Sequence, residues 1–121
     1  MAKIFIDANI FIDLIEKRSQ LNIDDLNDHD LFISPLSAHI LMYVTKKKVP
    51  NPSLFNIVDR FLKIDFNSDI LSKALQGPTD DLEDNVQLHS AAEADCDFFL
   101  TSDKQLLKLK FFGKIEIKSE L

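Results

Sequence analysis

At 121 residues, with 45% hydrophobic residues and only two glycines and four prolines, the chain can bury one core and lacks the composition of a disordered or repetitive protein. Its formal net charge of −6 excludes wholesale nonspecific binding of a polyanion, which is held mainly by lysine and arginine that displace counterions. One cysteine, Cys96, excludes a disulfide framework or a thiolate zinc cage within the chain, fits a reducing compartment and reads as a small core residue.

A single domain spanning 1–121 is therefore expected. No apolar run approaches the ~18 to 20 residues of a membrane-spanning helix, and no basic stretch with a secretory apolar segment opens the chain. A cytoplasmic protein without a membrane partner follows as the expectation.

Residues 3–6 read as a short buried strand, and Ile10, Phe11, Leu14 and Ile15 recur at helical spacing up to Lys17-Arg18. Leu31-Phe32-Ile33 repeats the strand. Ser34-Pro35 opens a helix that carries Leu36, Ile40, Leu41 and Val44 and ends in lysines suited to its negative dipole end. Pro50-Asn51-Pro52-Ser53 breaks the chain before a helical stripe of Leu54, Ile57, Val58, Phe61 and Leu62. A brief strand is expected through Ile64 and Phe66, then a short helix over Ile70–Leu75 closed by Gly77-Pro78. A further helix is expected over 81–94, with Val86 and Leu88 to Ala94 inward, and strands at Phe98–Thr101 and Ile115–Ile117.

Short apolar strands alternating with helices predict a three-layer α/β/α sandwich around a mainly parallel sheet. In such sheets the ligand crevice lies beyond the carboxyl ends of the strands. Asp7, Ser34 and Asp103 each fall at or just past such an end.

Three acidic stations carry the chemistry: Asp7 with Asn9 and Asp13, Asp80-Asp81-Leu82-Glu83-Asp84, and Thr101-Ser102-Asp103. Each has a plain structural explanation. Asp7 and Asp103 are suited to cap helices, Asp13 to a solvent face, and Asp80 with Glu83 to a capping box. Jointly the stations point further, because carboxylates that converge raise one another's pKa unless a cation neutralises them. Asp81 and Asp84, three apart, project to one side of a first helical turn. An all-oxygen set without a cysteine pair or a His-Glu-x-x-His pattern selects Mg2+ or Mn2+ rather than zinc, and the chemistry that such an ion serves here is phosphodiester hydrolysis.

The remaining polar candidates read as structural. His29, His39 and His89 suit packed or capping positions, and Tyr43 suits a half-buried core site although it could stack on a base. The Lys46-Lys47-Lys48 run and Lys104, Lys108, Lys110 and Lys114 suit a solvated face, with local help for a nucleic acid as the alternative.

Together these residues resemble the PIN domain, especially its small prokaryotic VapC-like members, over nearly the whole chain. The opening Ile4-Phe5-Ile6-Asp7-Ala8-Asn9, the helix start Asp81-Leu82-Glu83-Asp84 and the closing Phe98-Phe99-Leu100-Thr101-Ser102-Asp103-Lys104 match the family's order and spacing. The resemblance implies Asp7, Asp84 and Asp103 as metal-binding, catalytic carboxylates, with Asn9, Asp81 and Ser102 in support. It further implies Mg2+- or Mn2+-dependent cleavage of RNA, a homodimer, and an antitoxin partner that inserts a segment across the acidic site. The substrate-binding residues are not legible.

One departure matters. The family usually carries a glutamate six residues past a serine; counted from Ser34, that position is Ile40. His39 is adjacent, but neighbouring helix positions point about 100° apart. Two readings stand: a nuclease that retains activity on its remaining aspartates, which is favoured, and a weakened or silent domain that serves as a protein- or RNA-binding module. A receiver domain would need an acidic pair after the first strand and a lysine-proline pair, and a haloacid-dehalogenase-type phosphatase would need Asp-x-Asp-x-Thr. Asp7-Ala8-Asn9-Ile10-Phe11 satisfies neither.

Overall fold

Ile4, Phe5 and Ile6 are all fully buried, as a strand covered on both faces requires. In the computed structural model, which describes residues 1–18 and 22–121, they form β1 (Lys3–Ile6) at the centre of a six-stranded sheet. β1 pairs in parallel with β2 (Asp30–Ile33) on one side and β4 (Phe98–Leu100) on the other, so that Ile4 lies opposite both Leu31 and Phe98. β3 (Leu62–Lys63) lies outside β2, and β6 (Ile115–Lys118) outside β4. β5 (Phe111–Phe112) runs antiparallel to β6 at the far edge.

The strand order β3-β2-β1-β4-β6-β5 positions the site. Consecutive strands step outward from β1 to β3, and the chain then crosses back to β4 on the opposite side of β1. This reversal opens a crevice beyond the carboxyl ends of β1 and β4. Asp7 follows one of those ends and Thr101 the other.

The helices are α1 (Ala8–Glu16), α2 (Pro35–Thr45), α3 (Pro52–Val58), α4 (Ser68–Ala74), α5 (Leu82–Glu93) and α6 (Lys104–Leu109). Each begins on a polar cap whose side chain accepts a hydrogen bond from a first-turn amide: Asp7, Ser34, Asn51, Asn67, Asp81 and Asp103 respectively. Glycine is scarce, so α1 and α2 end on Lys17 and Lys46 in the left-handed conformation, each at φ 56°. Ile4 and Ile6 join the core beneath α1, α2 and α3, with Phe11, Leu41 and Leu54. Phe5 joins the opposite core beneath α5 and α6, with Leu88, Ala91, Phe99 and Leu106. Cys96 is buried in that second core, as expected, and burial pushes its thiol up to about 12.

The three-layer arrangement and most predicted elements are present. The helix begun at Leu54 ends at Val58, earlier than its apolar stripe suggests. Phe61 turns inward and meets Phe11 edge-on at 5.4 Å, which ends the helical register. The strand expected at Ile64–Phe66 is consequently β3 at Leu62–Lys63, pairing Leu62 with Phe32. Tyr43 is 78% exposed rather than half-buried, because Leu41 is the α2 residue that enters the core. The short edge strand β5 and a 3-10 turn over Ile23–Leu26 were not foreseen. Of the polar stretch Gln20–Asp30, the first two residues lie outside the described residues. Among the described residues, no helix is long and apolar enough to cross a membrane.

Phe5 and Phe99 stack across β1 and β4 with ring centroids 5.5 Å apart and planes within 8°. Truncating either ring opens a cavity in the sheet's centre. Phe99→Ala is expected to destabilise the protein by about 3 to 5 kcal/mol in urea unfolding.

Candidate active site

Asp7 leaves β1 with its backbone tied to both neighbours in the crevice. Its amide donates to the Leu100 carbonyl at 3.0 Å, and its carbonyl accepts from the Phe11 amide at 2.9 Å. Oδ1 accepts from the Ala8 amide at 2.9 Å, and Oδ2 accepts from the Thr101 hydroxyl at 2.6 Å. Thr101 is fully buried, and its Oγ1 accepts in turn from the Asp103 amide at 3.0 Å. One hydroxyl thus joins the first acidic station to the third.

Asp103 caps α6, its Oδ1 accepting from the Gln105 and Leu106 amides. Asn9 Oδ1 accepts a longer bond from the Ser102 amide at 3.5 Å, which brings two of the expected supporting residues together across the crevice.

The second station enters through α5. Its cap is Asp81, whose Oδ1 accepts from the Asp84 amide at 3.0 Å. The expected pairing of Asp80 with Glu83 is therefore displaced by one residue. Buried Asn85 explains the shift: its Oδ1 accepts from the Thr79 amide and hydroxyl, and its Nδ2 donates to the Ala74 and Thr79 carbonyls. These four bonds pin the loop before α5 and fix where the helix begins.

The carboxylates sense one another electrostatically. Burial raises the Asp7 pKa, the hydrogen bonds from Thr101 and Ala8 oppose the rise, and Asp103 and Asp81 add to it, leaving Asp7 at about 6. Burial and then the charges of Asp81, Asp7, Asp103 and Glu83 push Asp84 up to about 7. Asp7, Asp84 and Asp103 therefore share one field. Asp13 has no part in either shift.

Among the described residues, no group of three or more His, Cys, Asp or Glu side chains is spaced to enclose a metal ion. A closed protein cage of the calcium or structural-zinc kind is not the arrangement here. Mg2+ keeps several waters and takes one or two carboxylates, and the oxygen donors at this crevice suit that mode of binding. The coupled carboxylates at neutral pH fit it too, since a cation replaces the proton that repulsion otherwise retains.

The position at which the resemblance would place a glutamate is occupied by apolar packing. Ile40 is half-buried against the core shared by α1 and α2, and His39 beside it is exposed. His29 and His89 have structural partners: His29 Nδ1 accepts from the Ala2 amide, and His89 Nε2 lies 2.9 Å from the Gly77 carbonyl. Lys47 pairs with Glu16 at 3.6 Å and Lys114 with Asp95 at 2.8 Å, the behaviour of solvated faces. Four buried polar residues were not singled out from sequence, namely Ser37, Asn85, Gln87 and Ser90. Thr101 appeared only as part of a motif. A polar residue at an inward helical position was the available signal for Gln87.

With this geometry in view, comparison with solved structures decides the fold. A chain in the crystal structure of VapBC2 from Rickettsia felis, bound to a DNA fragment from its promoter, superposes with a TM-score of 0.69. The match covers 96% of this chain and 97% of that one. The fold is PIN-like. At 15% identity the likeness is one of fold alone. No family model matches the chain, and no curated protein matches it either.

Two outcomes follow for the acidic crevice. Asp7 and Asp84 have folded-state pKa values above that of an ordinary aspartate, so the folded state binds their protons more tightly. The resulting stabilisation is full below about pH 4 and is lost as pH rises through about 6 and 7. Asp84→Asn is expected to raise the melting temperature of metal-free protein by a few degrees at about pH 8 and to have little effect at about pH 4. Thr101→Val removes a hydrogen bond that favours the Asp7 carboxylate. Carboxyl-carbon NMR titration is expected to place Asp7 higher in that variant than in the wild type.

Proposed function

We propose that the chain is a metal-dependent endoribonuclease that hydrolyses RNA phosphodiester bonds, the toxin of a toxin–antitoxin pair. The observation that carries this reading is the electrostatic coupling of Asp7, Asp84 and Asp103 at the switch point of the sheet. Acids gathered where a fold of this kind binds ligands cost stability, and phosphodiester chemistry gives that cost a purpose. The likeness to a chain of a VapBC2 complex supports the toxin part and an antitoxin partner. The expectation of a homodimer belongs to the same proposal. An apolar groove lined by Met42, Val49, Leu54 and Phe55 offers contact area for self-association.

In this reading Asp7, Asp84 and Asp103 are the metal-binding carboxylates for Mg2+ or Mn2+, one or two of them on the ion directly and the rest through its waters, and Asn9, Asp81 and Ser102 support them. A bound ion supplies an activated water and offsets charge on the leaving oxygen. The residues of the chain do the positioning. Thr101 holds Asp7 in one orientation and, through the Asp103 amide, sets the start of α6. Asp84, whose carboxyl is pushed up to about 7 without metal, is the acid at which a cation would replace a proton. The Asp81 cap keeps Asp84 at the first turn of α5.

A second reading rests on Ile40 and on the lack, among the described residues, of three side chains spaced around one ion: a catalytically silent module that binds protein or RNA. One experiment separates the two. Purified chain is incubated with Mg2+ or Mn2+ and a panel of structured RNAs. Cleavage is expected with at least one metal, and Asp84→Ala is expected to lower its rate at least about 100-fold, no less than the loss of an outer-shell partner of a metal site. An intact RNA panel, or equal cutting by Asp84→Ala, would leave the binding module as the surviving reading.

A further inference from the structure

Among the described residues, the most exposed large apolar side chains apart from Met1 are Val49, Tyr43 and Phe55, at 79%, 78% and 69%. All three fall in one stretch of chain: the end of α2, the loop after it and α3. Val49 and Phe55 line an apolar groove of about 580 Å³ together with Met42, Leu54, Pro50 and Pro52. That volume matches sites that bury a ligand. Single exposed apolar residues are ordinary, but a contiguous patch marks a surface that is covered in use.

The walls restrict the form of the occupant. Pro50 and Pro52 have no amide hydrogen to offer, and the side-chain oxygen of Asn51 between them already accepts from the Leu54 amide. An incoming extended strand would find no ladder of backbone partners here. A helix satisfies its own backbone and needs only side-chain contact, which a groove between two helices supplies.

Charge restricts the composition. Lys46 lies one turn past Met42, and Lys48 directly precedes Val49, so both reach the rim of the groove. Lys47 between them pairs with Glu16 at 3.6 Å, whereas among the described residues Lys46 and Lys48 meet no carboxylate. In a chain of net charge −6 this rim is a local exception, and it attracts acidic side chains. Asp59, which follows Val58 of the lining, directs an occupant's acids toward the lysines instead. A second copy docked on the groove about a two-fold axis would bring both lysine runs into one interface, where like charges oppose it.

We infer that the groove between α2 and α3 is a docking site for an amphipathic helix of a partner protein. Its apolar side chains seat against Val49 and Phe55 over Met42 and Leu54, and its acidic side chains meet Lys46 and Lys48. The site lies at the end of α2 remote from Ser34 and the crevice, so the inference stands apart from the metal-dependent reading.

The test measures fluorescence anisotropy of labelled synthetic helical peptides in EDTA. Two peptides carry leucine and phenylalanine on one face, with flanks of glutamate in one and of lysine in the other. A third keeps the glutamate flanks but has its apolar residues out of helical spacing. Wild type is expected to bind the glutamate-flanked helix at least about tenfold more tightly than either of the others, and added salt is expected to shrink its advantage over the lysine-flanked one. Phe55→Ser is expected to weaken that peptide at least about tenfold. Lys46→Glu combined with Lys48→Glu is expected to reverse the preference between the two flanks, a gain that misfolding cannot produce.

Wild type that binds the three peptides equally, or binds none, overturns the inference. Folded Phe55→Ser that binds as wild type does, or an unreversed preference in the folded lysine variant, overturns it as well. A wild-type dimer in sedimentation that Phe55→Ser converts to monomer assigns the groove to a second copy, against the inference. Single-stranded RNA that displaces the glutamate-flanked peptide from wild type assigns the rim to a polyanion, with the same consequence.

Discussion

The Asp7 carboxylate is the constraint on which the rest of the crevice depends. It is 4% exposed and stays in place because two donors, the Ala8 amide and the Thr101 hydroxyl, meet its two oxygens. The bond to Thr101 joins residues that are 94 apart in sequence and lie at the ends of the two strands flanking the switch point. It can form only when β1 and β4 are paired in register, with Ile6 opposite Leu100. Correct sheet assembly and correct placement of the acid are thus one event.

The carboxylates of this crevice have two occupations at once. Asp7, Asp81 and Asp103 each cap a helix, so the fold uses their negative charge against exposed amides and helix dipoles. Asp84 caps nothing; it sits in the first turn of α5 and meets the combined field of the other three. The consequence is a gradient of commitment. The capping acids cannot move far without losing a helix start, whereas Asp84 is the acid whose charge is least compensated by the protein itself. A proton settles there most readily, which makes Asp84 the group through which pH acts on the crevice and, in the proposed metal-dependent reading, the one at which a cation would replace that proton.

Much of this was legible in the sequence, for identifiable reasons. A buried parallel strand needs an uninterrupted apolar run, so Ile4-Phe5-Ile6 and Phe98-Phe99-Leu100 announced themselves, and with them the two strand ends that hold Asp7 and Thr101. Helix starts were legible wherever a capping residue preceded an apolar stripe, as at Ser34-Pro35. The illegible parts were decided by tertiary contacts. Phe61 continues a helical stripe on paper but packs edge-on against Phe11, and β3 starts earlier as a result. The α5 cap fell on Asp81 rather than Asp80 because Asn85 binds the loop carbonyls, a set of bonds with no local signature. Asn85 and Gln87 read as polar interruptions of an inward face, and their partners lie in loops and helices that periodicity does not connect.

Ile40, where the resemblance would place a glutamate, is compatible with the field of the crevice. Asp84 already responds to four neighbouring acids, and a further buried carboxylate would push it higher still and deepen the repulsion in metal-free protein. Ile40 instead adds apolar contact to the core under α1 and α2, where its neighbours include Phe11 and Leu41. Losing the charge removes an anionic ligand but also removes a source of instability. In the proposed metal-dependent reading, a crevice so arranged would depend less on a cation for its stability and hold that cation less tightly than one with a further carboxylate.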